Sequence, residues 1–105
     1  MRVLLDECTP RFLKYRLPSQ LVSTVQEMGW AGLKNGDLLA AADGHFDLFI
    51  TTDKNLRFQQ NLKKYSLAVV LLPSNRMSVV VNLITEIEAA LATIKPGELV
   101  EVPLP

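Results

Sequence analysis

The chain has 105 residues, 49% hydrophobic and 21% charged, and its 11 basic and 11 acidic side chains balance to zero. One domain spanning 1–105 follows, with enough apolar residues for a single core, and Cys8 as the lone cysteine excludes a disulfide framework or a cysteine-based zinc site. The high apolar fraction excludes disorder, and no apolar stretch reaches the roughly 20 residues that span a bilayer. Acidic residues arrive at Asp6-Glu7, too early for a signal peptide, so a soluble protein of the reducing cytoplasm is expected. Zero net charge argues against a generally basic nucleic-acid binder, yet the charge is uneven. Residues 1–76 carry 10 Lys/Arg against 7 Asp/Glu and residues 77–105 carry 1 against 4, so an anionic substrate is better served by the first three-quarters.

Short apolar runs alternate with helical patterns. Val3-Leu4-Leu5 is a buried strand stopped by Asp6-Glu7. Pro10 suits the first turn of a helix capped by Thr9, with Phe12, Leu13 and Arg16 following at helical spacing. Leu21 to Val25 is a weaker strand, and Gly29-Trp30-Ala31-Gly32 a turn. Asn35-Gly36-Asp37 opens a small helix over Leu38 to Ala42 that Gly44 closes. The clearest strand is 48–52, bounded by Asp47 and Asp53 and followed by a polar loop at Lys54-Asn55 and a short helix from Phe58 to Lys64. Leu67 to Leu72 is another fully buried strand, ended by Pro73. Ser78 to Ile94 reads as one helix with Val80, Leu83, Ile84, Ile87 and Leu91 on one stripe. Pro96-Gly97 stops it. Residues 96–105 read as a tail with an edge strand at Leu99-Val100-Glu101-Val102, leaving a core of about 1–95.

Strands separated by helices imply right-handed crossovers and a mostly parallel sheet of four or five short strands covered on both faces, a three-layer α/β/α sandwich. Ligands of such sheets bind at the carboxyl ends of the strands. Two strand ends there carry acids, Asp6-Glu7 and Asp53, and Asp37 at a helix start can reach the same cleft. Clustered carboxylates repel unless a cation neutralises them, and an oxygen-only set suits a hard ion such as Mg²⁺ or Mn²⁺. Water on such an ion can attack a phosphodiester, the chemistry of a metal-dependent nuclease. Asp37 suits the positive end of its own helix equally well, and Glu7 reads as a solvated or capping neighbour of Asp6. Asp47 stands six residues before Asp53, about 20 Å away along a strand, and the same argument removes His45. Asp43, Glu86, Glu88, Glu98 and Glu101 read as solvated surface.

Thr51 and Thr52 approach the acidic edge, where one hydroxyl can hold a water or orient a carboxylate, and Glu7, Thr52 and Asn55 are the candidate outer-shell groups. Arg11, Lys14, Lys34, Lys54 and Arg57 flank the acids in sequence as candidate RNA-phosphate contacts, although each also suits solubility alone. Trp30 suits either base stacking or plugging the rim of the core. Cys8 has no base partner in sequence, which argues against a thiol nucleophile. Met28, Met77 and the stripe of the last helix read as core or as a dimer face.

The segments LLDECTPRFLKYRLP, GWAGLKNGDLL and TTDKNLRFQQNL, in that order, resemble the short bacterial PIN-like family, whose members include candidate toxin components of toxin–antitoxin pairs. The resemblance runs over roughly residues 1–95. It implies a PIN-type α/β/α sandwich, a Mg²⁺- or Mn²⁺-dependent ribonuclease site, an RNA substrate and an antitoxin partner. Matched by motif, Asp6 is the first acid, Asp37 the second and Asp53 the third. Full PIN nucleases supply a fourth acid shortly after the third, where this chain has Asn55, and the chain is short enough to have lost a helix between the early strands. Three acids suit one ion better than two. Two rival readings use the same residues. One is a PIN-like binding module without effective catalysis. The other is a phospho-receiver domain, in which Asp6-Glu7 would be the acidic pair, Asp53 the phosphoacceptor and Lys95 the lysine. That lysine must end a buried strand, whereas Lys95 follows a helix.

Overall fold

In the computed structural model, which describes residues 1–58 and 62–105 apart from the side chains of Arg57 and Phe58, the chain forms a three-layer α/β/α arrangement. Its five strands, among the described residues, are β1 (Arg2–Leu5), β2 (Leu21–Thr24), β3 (Leu48–Thr51), β4 (Ala68–Leu71) and β5 (Leu99–Glu101). All neighbours are parallel, in the order β2-β1-β3-β4-β5. Parallel strands buried on both faces require continuous apolar runs, which is why β1, β3 and β4 stood out in the sequence.

Alternation along those strands makes two cores. Val3, Leu5, Leu48, Ile50, Ala68 and Val70 face α1 (Leu13–Arg16), α3 (Met77–Val80) and α4 (Ile84–Thr93). Leu4, Phe49 and Val69 face α2 (Asn35–Ala42) and Leu56. In α2, Leu38, Leu39 and Ala42 are the buried residues, and burying a leucine side chain stabilises the fold by about 1.5–3 kcal/mol. Gly44 follows α2 at φ +86°, the left-handed conformation that a helix terminus takes most readily with glycine.

Several local expectations are corrected. Thr9 does not cap α1; its hydroxyl is buried and donates to the Ile50 carbonyl at 3.2 Å, so the chain enters α1 through i→i−3 turns from Pro10, Arg11 and Phe12. Lys54-Asn55 is not open loop but the start of a 3₁₀ helix, Lys54–Phe58. Of the helix expected at Phe58–Lys64, Leu62–Lys64 is a 3₁₀ turn and residues 59–61 lie outside the described residues. The single helix expected at 78–94 is interrupted by a 3₁₀ segment, Val81–Leu83, between α3 and α4. There a run of valines crowds the preceding turn, and Asn82 Nδ2 donates to the Ser78 carbonyl. The tail belongs to the core, because β5 pairs with β4 and Val102 is buried.

The last connection also departs from expectation. Passing from β1 to β2 the chain moves one way with α1 on one face, and from β2 to β3 and β3 to β4 it moves the other way over the opposite face. From β4 to β5 it keeps that direction, yet α3 and α4 return to the α1 face, so this crossover has the opposite hand. The physical reason is coverage. A one-turn α1 cannot shield its face of the sheet, and the stripe Val80, Leu83, Ile84, Ile87 and Leu91 closes it.

After β2, Thr24 and Glu27 cap each other: the Glu27 amide donates to Thr24 Oγ1 at 3.1 Å and the Thr24 amide to Glu27 Oε1 at 2.9 Å. Lys14 Nζ sits 2.6 Å from Glu27 Oε2. The Lys14 ammonium, with the Thr24 amide second, holds the Glu27 carboxyl below its ordinary value. A lowered folded value means that the stabilisation is present above the ordinary carboxylate range and is lost as pH falls through the lower one. Glu27→Gln is therefore expected to melt below the wild type at pH 7, with the difference closing as pH falls below about 4, in thermal unfolding followed across pH.

Candidate functional site

The strand order changes direction between β1 and β3, and in open parallel sheets the crevice at such a switch point, beyond the carboxyl ends of the strands, is where ligands bind. Leu5 stands beside Ile50 in the ladder, and the Asp6 amide continues it by donating to the Ile50 carbonyl at 3.0 Å. One residue further on, Asp6 therefore lies next to Thr51. Alternation turns both side chains towards the α2 face, the side opposite Leu5 and Ile50.

Thr51 ties the two acids together. Its hydroxyl donates to Asp6 Oδ2 at 2.6 Å and accepts from the Asp53 amide at 3.1 Å, and the residue is fully buried. The other oxygen of Asp6 accepts from the Glu7 amide at 2.8 Å. Asp53 Oδ1 accepts from the Asn55 amide at 3.0 Å, capping the 3₁₀ helix, and Asp53 Oδ2 accepts from Asn35 Nδ2 at 2.7 Å. Both carboxylates are half-buried and held by these hydrogen bonds, and among the described residues no lysine or arginine is ion-paired with them. Among the described residues the ion pair seen is Lys14–Glu27, elsewhere on the molecule.

Asp37 is not brought into this network. Asn35 and Asp37 are about 200° apart around α2, at about 100° per residue. Asn35 shares its side with Leu38, Leu39 and Ala42, and Asp37 is exposed on the other, within the helix's first turn. Among the described residues no three His, Cys, Asp or Glu side chains form a metal-binding group. The site is thus a pair of acids, Asp6 and Asp53, with a hydroxyl and an amide. Among the described residues each carboxylate oxygen accepts one hydrogen bond and retains further lone pairs, and carboxylate oxygens are the donor chemistry that hard divalent ions take.

The remaining candidates are placed as follows. Glu7 Oε1 accepts from the Gly32 amide at 2.9 Å, fastening the loop before α2. Thr52 is half-buried, and the backbone amide of Asn55, not its side chain, serves Asp53. Arg11, Lys34 and Lys54 are exposed, Lys14 is paired with Glu27, and the Arg57 side chain lies outside the described residues. Lys54, Leu72, Pro73, Glu101 and Pro103 line a cavity of about 240 Å³ at the carboxyl ends of β4 and β5, and neither Asp6 nor Asp53 is among its lining residues. Trp30 packs on the α2 core, edge-on to Phe46 at 6.0 Å and to His45 at 6.4 Å, so it plugs the rim. Asp47 accepts from the Arg2 amide at 2.7 Å, at the amino ends of the strands, as expected. Asp43 is not solvated surface: its Oδ1 accepts from the Ser66 and Leu67 amides and anchors the entry to β4.

Sequence reasoning missed Asn35, although the signal was there: it lies in helical phase with the apolar residues of α2, and Asp37 does not. It also chose Thr52 as the outer-shell hydroxyl, whereas Thr51 is the one that bonds Asp6 and the Asp53 amide. Thr51→Val, which preserves shape but leaves the Asp53 amide and Asp6 Oδ2 short of a partner, is expected to cost about 1–3 kcal/mol in denaturant unfolding. Thr52→Val is expected to stay within about 0.5 kcal/mol.

No protein-family model, curated protein or solved structure matches the chain, so its likeness to the PIN-like family rests on the three sequence segments alone.

Proposed function

We propose that this chain is a metal-dependent ribonuclease of PIN-like type, the toxin half of a toxin–antitoxin pair working in the bacterial cytoplasm. The observation that carries the reading is the Thr51 hydroxyl shared between Asp6 and Asp53 at the switch point of the sheet. Asp6 and Asp53 would hold one Mg²⁺ or Mn²⁺. When bound, such an ion supplies an activated water for phosphodiester hydrolysis. Thr51 orients the Asp6 carboxylate, Asn35 and the Asn55 amide orient that of Asp53, and exposed Arg11, Lys34 and Lys54 draw the RNA backbone to the edge. Among the described residues no helix is long and apolar enough to cross a membrane.

A second reading, a PIN-like module that holds RNA or a protein partner without cleaving, is favoured by one observation: Asp37 does not join the pair. The receiver reading loses support from Lys95. It precedes β5 and lines a cavity with Met1, Arg2 and Asp47 at the amino ends of the strands, the wrong edge for Asp53. The test is incubation of the purified chain with mixed RNAs and Mn²⁺. Cleavage that stops with EDTA supports the nuclease, RNA retention without cleavage supports the module, and cleavage persisting in EDTA overturns the metal role.

A further inference from the structure

We propose that Asn35, and not Asp37, is the working residue of the Asn35-Gly36-Asp37 segment: a positioning residue that holds the Asp53 carboxylate ready for a divalent cation shared with Asp6. This rests on the metal-site reading above and sharpens it. Asn35 is half-buried at the start of α2, on the side of the helix that packs against the sheet, and its amide nitrogen is 2.7 Å from Asp53 Oδ2. Because α2 is locked by Leu38, Leu39 and Ala42, the amide is held by a rigid element.

The chemistry of the amide explains the choice. A lysine or arginine at this place would occupy the cation's position with its own charge. A carboxylate would repel Asp53 whenever the cation is absent. An uncharged NH₂ donor does neither: it steadies one oxygen of Asp53 and leaves the pair's negative charge uncancelled for the ion. Loss of such an orienting partner typically weakens metal binding 10- to 100-fold.

The experiment uses the full chain with Mn²⁺ as the probe, titrated calorimetrically and followed by thermal melting with and without the ion. Four proteins are compared: wild type, Asn35→Ala, Asn35→Asp and Asp37→Asn. Asn35→Ala is expected to bind Mn²⁺ about tenfold or more weakly than wild type. Asp37→Asn should stay within about twofold, because its side chain faces away. Asn35→Asp should melt lower than wild type without the ion and gain more from Mn²⁺, since the added acid repels Asp53 until a cation arrives. A wild type that binds Mn²⁺ together with an Asn35→Ala that binds it equally well overturns this proposal alone. A weakening confined to Asp37→Asn does the same. A wild type that binds no Mn²⁺ overturns the metal site itself and the role of Asn35 with it. Should Asn35→Ala fail to fold, Asn35→Asp decides, and melting and Mn²⁺ gain identical to wild type would overturn the assignment.

Discussion

Replacing Asp53 by Asn is expected to lower Mn²⁺-dependent RNA cleavage by more than about a hundredfold, because losing a ligand must exceed the 10- to 100-fold cost of losing a ligand's partner. The substitution keeps shape and one acceptor oxygen. That oxygen can serve the Asn55 amide or Asn35 Nδ2 but not both, since the new NH₂ group faces a donor on one side. The cost to the fold is one exchanged hydrogen bond, about 1 kcal/mol, so the melting profile should stay cooperative. Asp6→Asn should behave alike, retaining a partner for either the Thr51 hydroxyl or the Glu7 amide. Cleavage assays with Mn²⁺, run beside circular dichroism melts of each variant, provide the check. Either variant cleaving at the wild-type rate would remove the nuclease assignment.

The largest expected effect on stability is that of Phe49→Ala. Phe49 is 1% exposed in the middle of the central strand β3, packed in the core that α2 closes. Deleting a buried phenylalanine costs about 3–5 kcal/mol, part of it transfer free energy and part the cavity left behind. Domains of this size hold about 5–15 kcal/mol in all, so the variant should be largely destabilised, with its melting point lowered by more than about 10 °C. The damage should also reach the site, because α2 carries Asn35 and rests on this core. Chemical denaturation gives the magnitude, and an unchanged midpoint would mean that the face under α2 is not the tight core described.

Much of the architecture was legible because it is written in burial. A parallel strand covered on both sides must be apolar throughout, so Val3-Leu4-Leu5, Leu48 to Ile50 and Leu67 to Leu72 declared themselves, and the acids that stop them marked the carboxyl edge. What was not legible depends on phase and on tertiary partners. Asn35 and Asp37 look equivalent as polar residues in a first turn, and only the angle to Leu38 and Leu39 separates them. Thr9 has the residue type of a cap, yet the Ile50 carbonyl, which is distant in sequence, claims its hydroxyl. Asp43 reads as surface because the amides it accepts from, those of Ser66 and Leu67, lie more than twenty residues away. The hand of the final crossover follows from a competition for an uncovered sheet face, which no local pattern records.

The mutual cap of Thr24 and Glu27 has a consequence for self-association. The Val25 amide points inward to the Leu5 carbonyl, so the Thr24 amide points outward from β2, a flank with no further strand beside it, and the Glu27 carboxylate occupies it. On the opposite flank β5 runs into Pro103 and Pro105, which offer no amide hydrogens. The β2 margin is thus plugged by an anion, while the two imino acids stand beyond the end of β5, so the β2 flank is a poor template for recruiting a further strand. Copies of this chain that meet are therefore not expected to do so by adding a strand beside β2.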